Sequence, residues 1–258
     1  MTIREYARPE TVSEAFMLCQ KRSNAVMAGN MWLRMQRKVI STLIDLSGLG
    51  LDYVKEREDA FELGAMATLR GLETHEGLRR DYYNAFAHAL GPIVGVQFRN
   101  TATVGGSVFA RFGFSDISTL LLALGAGVRL HAAGEVPLSD FQTLPFARDI
   151  LLSVTVPKGA RGVGYHALRR SATDIPLLSV AAVRTAAGLR VAVGARPGRA
   201  QLLYEGETQL TAARRKALLD AMTFGGNMRA RGAYRREVAD VLVCRAVRDA
   251  MEGNVYAD

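Results

Sequence analysis

The chain is poor in the residues that hold inorganic redox centres. Its 258 residues include two cysteines and four histidines. Cys19 and Cys244 lie far apart, each in helix-like sequence, so no disulfide framework is expected. Two thiols also fall short of the thiolate set that an iron–sulfur cluster takes from one chain. His75, His88, His131 and His166 have no spacing suited to a shared metal. Redox chemistry here therefore calls for an organic cofactor. Apolar runs are short: none reaches the roughly 18 residues that cross a bilayer, and the N-terminus has no signal-peptide core. A cytoplasmic location with no membrane partner is expected. Neither the dinucleotide fingerprint G-x-G-x-x-G nor the phosphate loop G-x-x-x-x-G-K-[ST] occurs.

What is present is ordinary for a folded chain, with 49% apolar and 22% charged residues, and it is long enough for one large or several small domains. The net charge of +8 is uneven: from Arg161 onward there are 16 Lys/Arg against 9 Asp/Glu, an excess of 7. Such a basic part is compatible with plain solvation, with nucleic acid or with an acidic partner. Because no aromatics interleave with the arginines and no nucleic-acid motif is found, no nucleic acid is expected as partner.

The chemistry-bearing feature is the run Arg99-Asn100-Thr101-Ala102-Thr103-Val104-Gly105-Gly106-Ser107-Val108, followed by Ser115-Asp116 at the head of an apolar segment. A threonine beside paired glycines makes a backbone concavity in which main-chain N–H groups approach an anion. A second turn of this kind lies at Ala25-Val26-Met27-Ala28-Gly29-Asn30-Met31-Trp32-Leu33, where a short apolar strand ends in Gly-Asn. Together they suit the two sides of one diphosphate. Each alone is equally a plain chain reversal.

Around these turns the pattern predicts a capping box at Thr11-Val12-Ser13-Glu14 opening a helix to about Lys21. Strands are expected over 25–29, 39–46, 60–66, 127–132 and 151–156. Helices are expected from Thr68 to Leu78, from about Arg80 to Leu90, and from Ile117 to Leu124 behind a Ser115 cap. Residues 157–162 read as a linker. Beyond it come strands over 165–170, 178–184 and 189–195, then helices over 211–222 and 234–251, the last placing Tyr234, Val238, Val241 and Leu242 on one face.

The paired turns, the Arg-Asn-x-x-Thr-Val-Gly-Gly-Ser run, the Ser-Asp after it, the Asp-Ile-Leu-Leu-Ser-Val-Thr-Val-Pro segment at 149–157 and the Tyr-Arg-Arg-Glu helix at 234–237 resemble the FAD-binding subunit of the molybdenum hydroxylases. The resemblance spans the whole chain and includes relatives of the xanthine dehydrogenase and carbon monoxide dehydrogenase type. It implies an α+β fold. Residues 1–160 would form a PCMH-type FAD-binding domain of two small α/β subdomains, about 1–55 and 56–160. Residues 161–258 would form a C-terminal domain with an antiparallel sheet and helices.

The same resemblance implies FAD as cofactor. Val26, Met27, Ala28, Gly29, Asn30, Met31, Trp32 and Leu33 would form the first loop. Thr103, Val104, Gly105, Gly106 and Ser107 would form the second. Ile93 would pack on a ring face, Asp116 would accept hydrogen bonds from a sugar or the helix end, Leu151 would lie near the flavin, and Arg169, where relatives often have Lys, would stand by its electron-rich edge. No residue is expected to be catalytic in its own right, and no metal is expected. The implied role is an FAD-dependent oxidoreductase subunit with an iron–sulfur subunit and a molybdenum-cofactor subunit as partners and NAD or another acceptor downstream. A non-catalytic scaffold or nucleic-acid binder with a degenerate FAD site is the alternative. The chain departs from its relatives at Gly29-Asn30-Met31-Trp32, where hydroxyl and carboxylate side chains are common, and at the aromatic stretch 109–114.

Overall fold

The computed structural model describes residues 1–253 and Tyr256. Residues 254, 255, 257 and 258, at the end of the expected C-terminal domain, lie outside the described residues. The elements form three sheets of three, five and four strands.

The first sheet is parallel. Strands β1 (Thr2–Ala7) and β2 (Ala25–Met27) flank β3 (Val39–Asp45), with Ala7 opposite Ile44 and Met27 opposite Asp45. Between β1 and β2, helix α1 (Val12–Cys19) begins where the sequence places it. Thr11 Oγ1 accepts from the Glu14 N–H at 3.2 Å, and the Glu14 carboxylate reaches back to the Glu10 N–H at 2.9 Å. Its buried face, Ala15 and Cys19, packs with Ile44, Leu46 and Ile150.

The second sheet is antiparallel, in the order β4 (Val54–Glu56), β5 (Ala60–Gly64), β8 (Leu151–Pro157), β6 (Gly127–Leu130), β7 (Gly134–Pro137). Six short helices run between β5 and β6: α2 (Leu69–Thr74), α3 (Glu76–Asp81), α4 (Ala85–Leu90), α5 (Val96–Arg99), α6 (Val104–Phe109) and α7 (Asp116–Ala123); α8 (Leu138–Thr143) follows β7. The two longer helices expected over 68–90 are thus three. Extended backbone at His75 ends α2 and caps α3, and left-handed Tyr83 and Asn84, at φ 55° and 59°, separate α3 from α4. Every residue of α7 is buried, so this helix is the centre of the molecule rather than an amphipathic surface element.

The third sheet, β12 (Gln201–Gly206), β11 (Gly188–Gly194), β10 (Leu178–Thr185), β9 (Gly162–Leu168), is antiparallel throughout. It is covered on both faces. Ala181, Val183 and Ala192 join α7 in the central core, while Val180, Ala182 and Val191 join the core formed with α9 (Ala212–Ala221) and α10 (Gly232–Glu252). The period-2 alternation of β10 therefore sorts apolar side chains between two cores. The expected face of the last helix is corrected. Leu242 is buried with Arg235, Ala239, Val243 and Ala246, whereas Tyr234 and Val241 point outward at 47% and 48% exposure. The sheet takes up Ala239, Leu242, Val243 and Ala246, while Tyr234 and Val241 stay at the surface.

Candidate functional site

A cleft of about 510 Å3 runs between the first sheet, the α5–α7 region and the loop that follows β9. Of the 17 residues expected at the site, 15 line it. The two that do not are Met27, which lies in β2 opposite Asp45, and Val104, which is fully buried.

One wall is the loop after β2. Asn30 adopts a left-handed backbone at φ 55°, as Asn does more readily than other side-chain-bearing residues. Among the described residues no acceptor takes the main-chain N–H groups of Gly29, Asn30, Met31 and Trp32, and the Asn30 side-chain oxygen is buried with no partner. Unpartnered amides on residues that line a cleft are suited to cradle an anion. The loop lacks hydroxyl and carboxylate side chains, as its sequence Gly29-Asn30-Met31-Trp32 dictates, but its backbone donors are present.

The second run is a helix start rather than an open turn. Thr103 is the N-cap of α6, and its Oγ1 accepts from the Gly106 N–H at 3.1 Å. The Val104 and Gly105 amides donate to Ala67 O and Ala65 O at 2.9 and 2.8 Å, and Ser107 Oγ donates to Thr103 O at 2.9 Å. The amides of Val104, Gly105, Gly106 and Ser107 already have acceptors, the last in Thr103 O at 3.1 Å, unlike those of the first loop. The two glycines also differ. A side chain at Gly105 would run into the Ala65 carbonyl at 2.7 Å, whereas one at Gly106 would face Thr103 and Ala28 at 3.3 and 3.6 Å. Arg99, at the head of the run, is a buried structural anchor: its Nε and Nη2 donate to Glu73 at 2.7 and 3.1 Å.

At the other end of the cleft Asp116, in the first turn of α7, is buried and bound on Oδ1 by two donors. Arg169 Nη2 approaches it to 2.6 Å, and the Tyr165 hydroxyl donates a short hydrogen bond. Burial pushes the Asp116 carboxyl up, against the opposing pull of Arg169 and Tyr165. Burial, and then Asp116 itself, push the Tyr165 phenol up strongly, so Tyr165 is a neutral donor. Arg169 is held from its other side by Asp174 O at 2.6 Å. The cation and the carboxylate thus meet the cleft as a neutral pair, fixed on two separate elements.

Aromatic side chains close a third side. Trp32 packs against Phe112 and Phe114 with ring centroids 5.9 and 5.3 Å away, and those two rings stack at 5.1 Å. Arg111 turns away. It is buried with left-handed backbone at φ 51°, lies over the Phe141 ring at 3.9 Å and donates to Leu144 O. Sequence reasoning missed Tyr165. Its only signal was an aromatic at a buried strand position 49 residues from its partner.

Residues 2–159 match the family described as FAD binding domain in molybdopterin dehydrogenase. The chain is 26% identical over 265 residues to the uncharacterized protein YgfM of Escherichia coli K12, covering 99% of each. It is 24% identical to the nicotine 6-hydroxylase medium subunit of Paenarthrobacter nicotinovorans, covering 95% of this chain and 96% of that one. Among solved structures, a chain of the reconstituted CO dehydrogenase from Oligotropha carboxidovorans superposes with a TM-score of 0.87 at 21% identity, over 98% of this chain and 99% of that one.

Proposed function

The chain belongs to the family of FAD binding domains in molybdopterin dehydrogenase, and from that premise we propose that it is the flavin-bearing, electron-transferring subunit of a molybdenum hydroxylase complex. The cofactor is FAD. The cleft supports it: the unpartnered amides of Gly29 to Trp32 and the orphaned Asn30 oxygen are donors and an acceptor of the kind that a diphosphate and its sugars take. That set of free groups is the observation that carries the reading. Bound FAD supplies a carrier that exchanges electrons singly or in pairs.

The protein's own residues bind and orient. The first loop presents its amides, the α6 start contributes the Thr103 and Ser107 hydroxyls, and Ile93 and Leu151 give apolar walls. The Asp116–Arg169 pair offers a fixed dipole at the far end, locked by Tyr165. Trp32, Phe112 and Phe114 keep water from one side.

No cluster of metal ligands occurs among the described residues, so electrons would arrive from an iron–sulfur subunit fed by a molybdenum-cofactor subunit and leave to NAD or another acceptor. No helix of the described residues is long and apolar enough to cross a membrane, and a cytoplasmic complex is the setting we propose. The scaffold or nucleic-acid alternative is not favoured by the family match.

The test is purification from the native source. A yellow complex containing this chain, an iron–sulfur chain and a larger molybdenum chain is expected by native mass spectrometry. Homo-oligomers alone, with full substrate turnover by the lone chain, would overturn the reading.

A further inference from the structure

The basic excess of the C-terminal part is not used by the FAD cleft, and a share of it converges on a second cavity of about 480 Å3. This cavity lies beside the cleft and shares Phe114, Ile175 and Pro176 with it. Four arginines, Arg111, Arg199, Arg229 and Arg235, line it, and no carboxylate residue does; the Arg111 guanidinium also lies over the Phe141 ring at 3.9 Å.

The partners of these four are nearly all neutral. Arg111 Nη1 donates to Leu144 O at 2.5 Å, and Arg199 Nη1 to Gln142 O at 2.6 Å. Arg235 donates to Leu177 O, to Ala195 O at 2.8 Å and to Asn227 Oδ1 at 2.7 Å. Arg229 alone meets a carboxylate, Asp174, at 2.5 Å, and also reaches Ile175 O. Arg111 and Arg235 are 7% and 2% exposed, and the Nε atoms of Arg111, Arg229 and Arg235 are buried without an acceptor.

Carbonyl oxygens hold these cations in place but leave their charge unbalanced, which is costly for buried guanidinium groups. Burial, then Arg199, pushes the Arg111 guanidinium down from its ordinary value; burial, then Arg229, does the same to Arg235. Forked donors with spare N–H groups around one hollow match the oxygens of a phosphoryl group. Three cations without a carboxylate partner suit a dianion better than a single carboxylate.

We propose that Arg111, Arg199, Arg229 and Arg235 form a binding site for a dianionic phosphoryl group, separate from the FAD cleft and open to a ligand other than FAD. The phosphoryl group comes either as the free ion or as the arm of an organic molecule. Because Arg111 stands beside Phe112 to Phe114, occupation of the site would bear directly on the aromatic wall of the cleft.

Calorimetric titration of the full chain with inorganic phosphate and with phenyl phosphate, against a chloride background of equal ionic strength, tests the site. Saturable one-to-one binding is expected, weakened about tenfold or more in Arg199→Gln and in Arg229→Gln. Arg199 is exposed, so its variant keeps the fold; should Arg229→Gln unfold by circular dichroism, Arg199→Gln alone decides. Tighter binding of phenyl phosphate assigns the arm of an organic ligand, equal binding assigns the free ion, and both support the site. Heats no different from chloride, or affinities unchanged in the folded variants, overturn it.

Discussion

The Cα of Gly29 lies directly against the carbonyl of Thr101: a methyl group built on Gly29 would sit 2.0 Å from the Thr101 oxygen and 3.0 Å from the Ala102 Cα. The two loops that line the cleft are therefore in backbone contact, and glycine is required by space rather than by an unusual φ. Gly29→Ala must push the loops apart at the point where the free amides begin. FAD binding is expected to weaken about tenfold or more, a change of roughly 1.4 kcal/mol, read by flavin fluorescence titration. Gly106→Ala, whose methyl group would meet its neighbours at 3.3 Å and beyond, is expected to bind nearly as well as wild type. Gly105→Ala should lower the melting temperature instead, because its methyl group would press on Ala65.

Trp32 is the only tryptophan in the chain and lines the cleft. Its emission reports on occupancy without interference. Titration with FAD is expected to quench most of that emission, since a flavin in the cleft lies within energy-transfer reach of the indole. Phe114→Ala removes one of the rings that hold Trp32 and should broaden and red-shift the emission of the free chain. An indole whose emission ignores FAD would place the flavin elsewhere.

The parts of the fold announced by sequence are those governed by local rules. Thr11, Thr68 and Ser115 each cap the helix expected of them, because a hydroxyl before an apolar run satisfies a free N–H within three residues. What escaped depends on distant partners. Strand β1 shows no burial pattern, since five of its six residues are exposed, and it exists because β3 supplies its hydrogen bonds. Helix α6 begins with Val-Gly-Gly, a poor helix former, and is held by the Ala65 and Ala67 carbonyls of the turn after β5. The Gly29-Asn30 loop was legible as a turn, whereas Gly105 and Gly106 lie inside α6. The pairing of Asp116 with Arg169 spans 53 residues and leaves no mark on either neighbourhood.

The buried ion pair of Arg99 with Glu73 ties α5 to α2 beneath the second loop. Arg99→Leu leaves the Glu73 carboxylate to Arg70, which stands 2.7 Å away but is more exposed. Breaking a buried pair from one side costs about 3 kcal/mol or more, and the remaining partner places this case at the lower end. Urea unfolding should show that loss. Arg99→Leu with Glu73→Leu should recover a large part of it, because no charge is left buried alone.

Acid sensitivity has an identifiable source on the second sheet. The Tyr53 hydroxyl at 2.6 Å and the Arg57 guanidinium hold the Glu62 carboxyl down at about 2, against an ordinary 4.5. A carboxylate with a depressed folded value stabilises the native state above its unfolded value and loses that contribution as pH falls from about 4.5 towards 2. The full contribution is about 3 kcal/mol. Unfolding free energies of wild type and Glu62→Gln measured across this window should converge as pH falls. Parallel curves would show that the pairing contributes nothing.

Charge and position can be separated at the far end of the cleft. Arg169 and Asp116 are 2.6 Å apart and together nearly neutral, so their effect on a flavin is that of a dipole. Arg169→Ala leaves the negative end alone and should lower the flavin reduction potential; Asp116→Asn leaves the positive end and should raise it. At an effective dielectric of about 20, a unit charge within about 10 Å is worth on the order of 1 to 2 kcal/mol, which is readily measured by spectroelectrochemistry. The double variant Arg169→Ala with Asp116→Asn should return close to the wild-type potential, since both charges leave together. A low potential in the double variant would mean that Arg169 acts through a contact of its own, and unchanged potentials in both single variants would put the pair out of the flavin's reach.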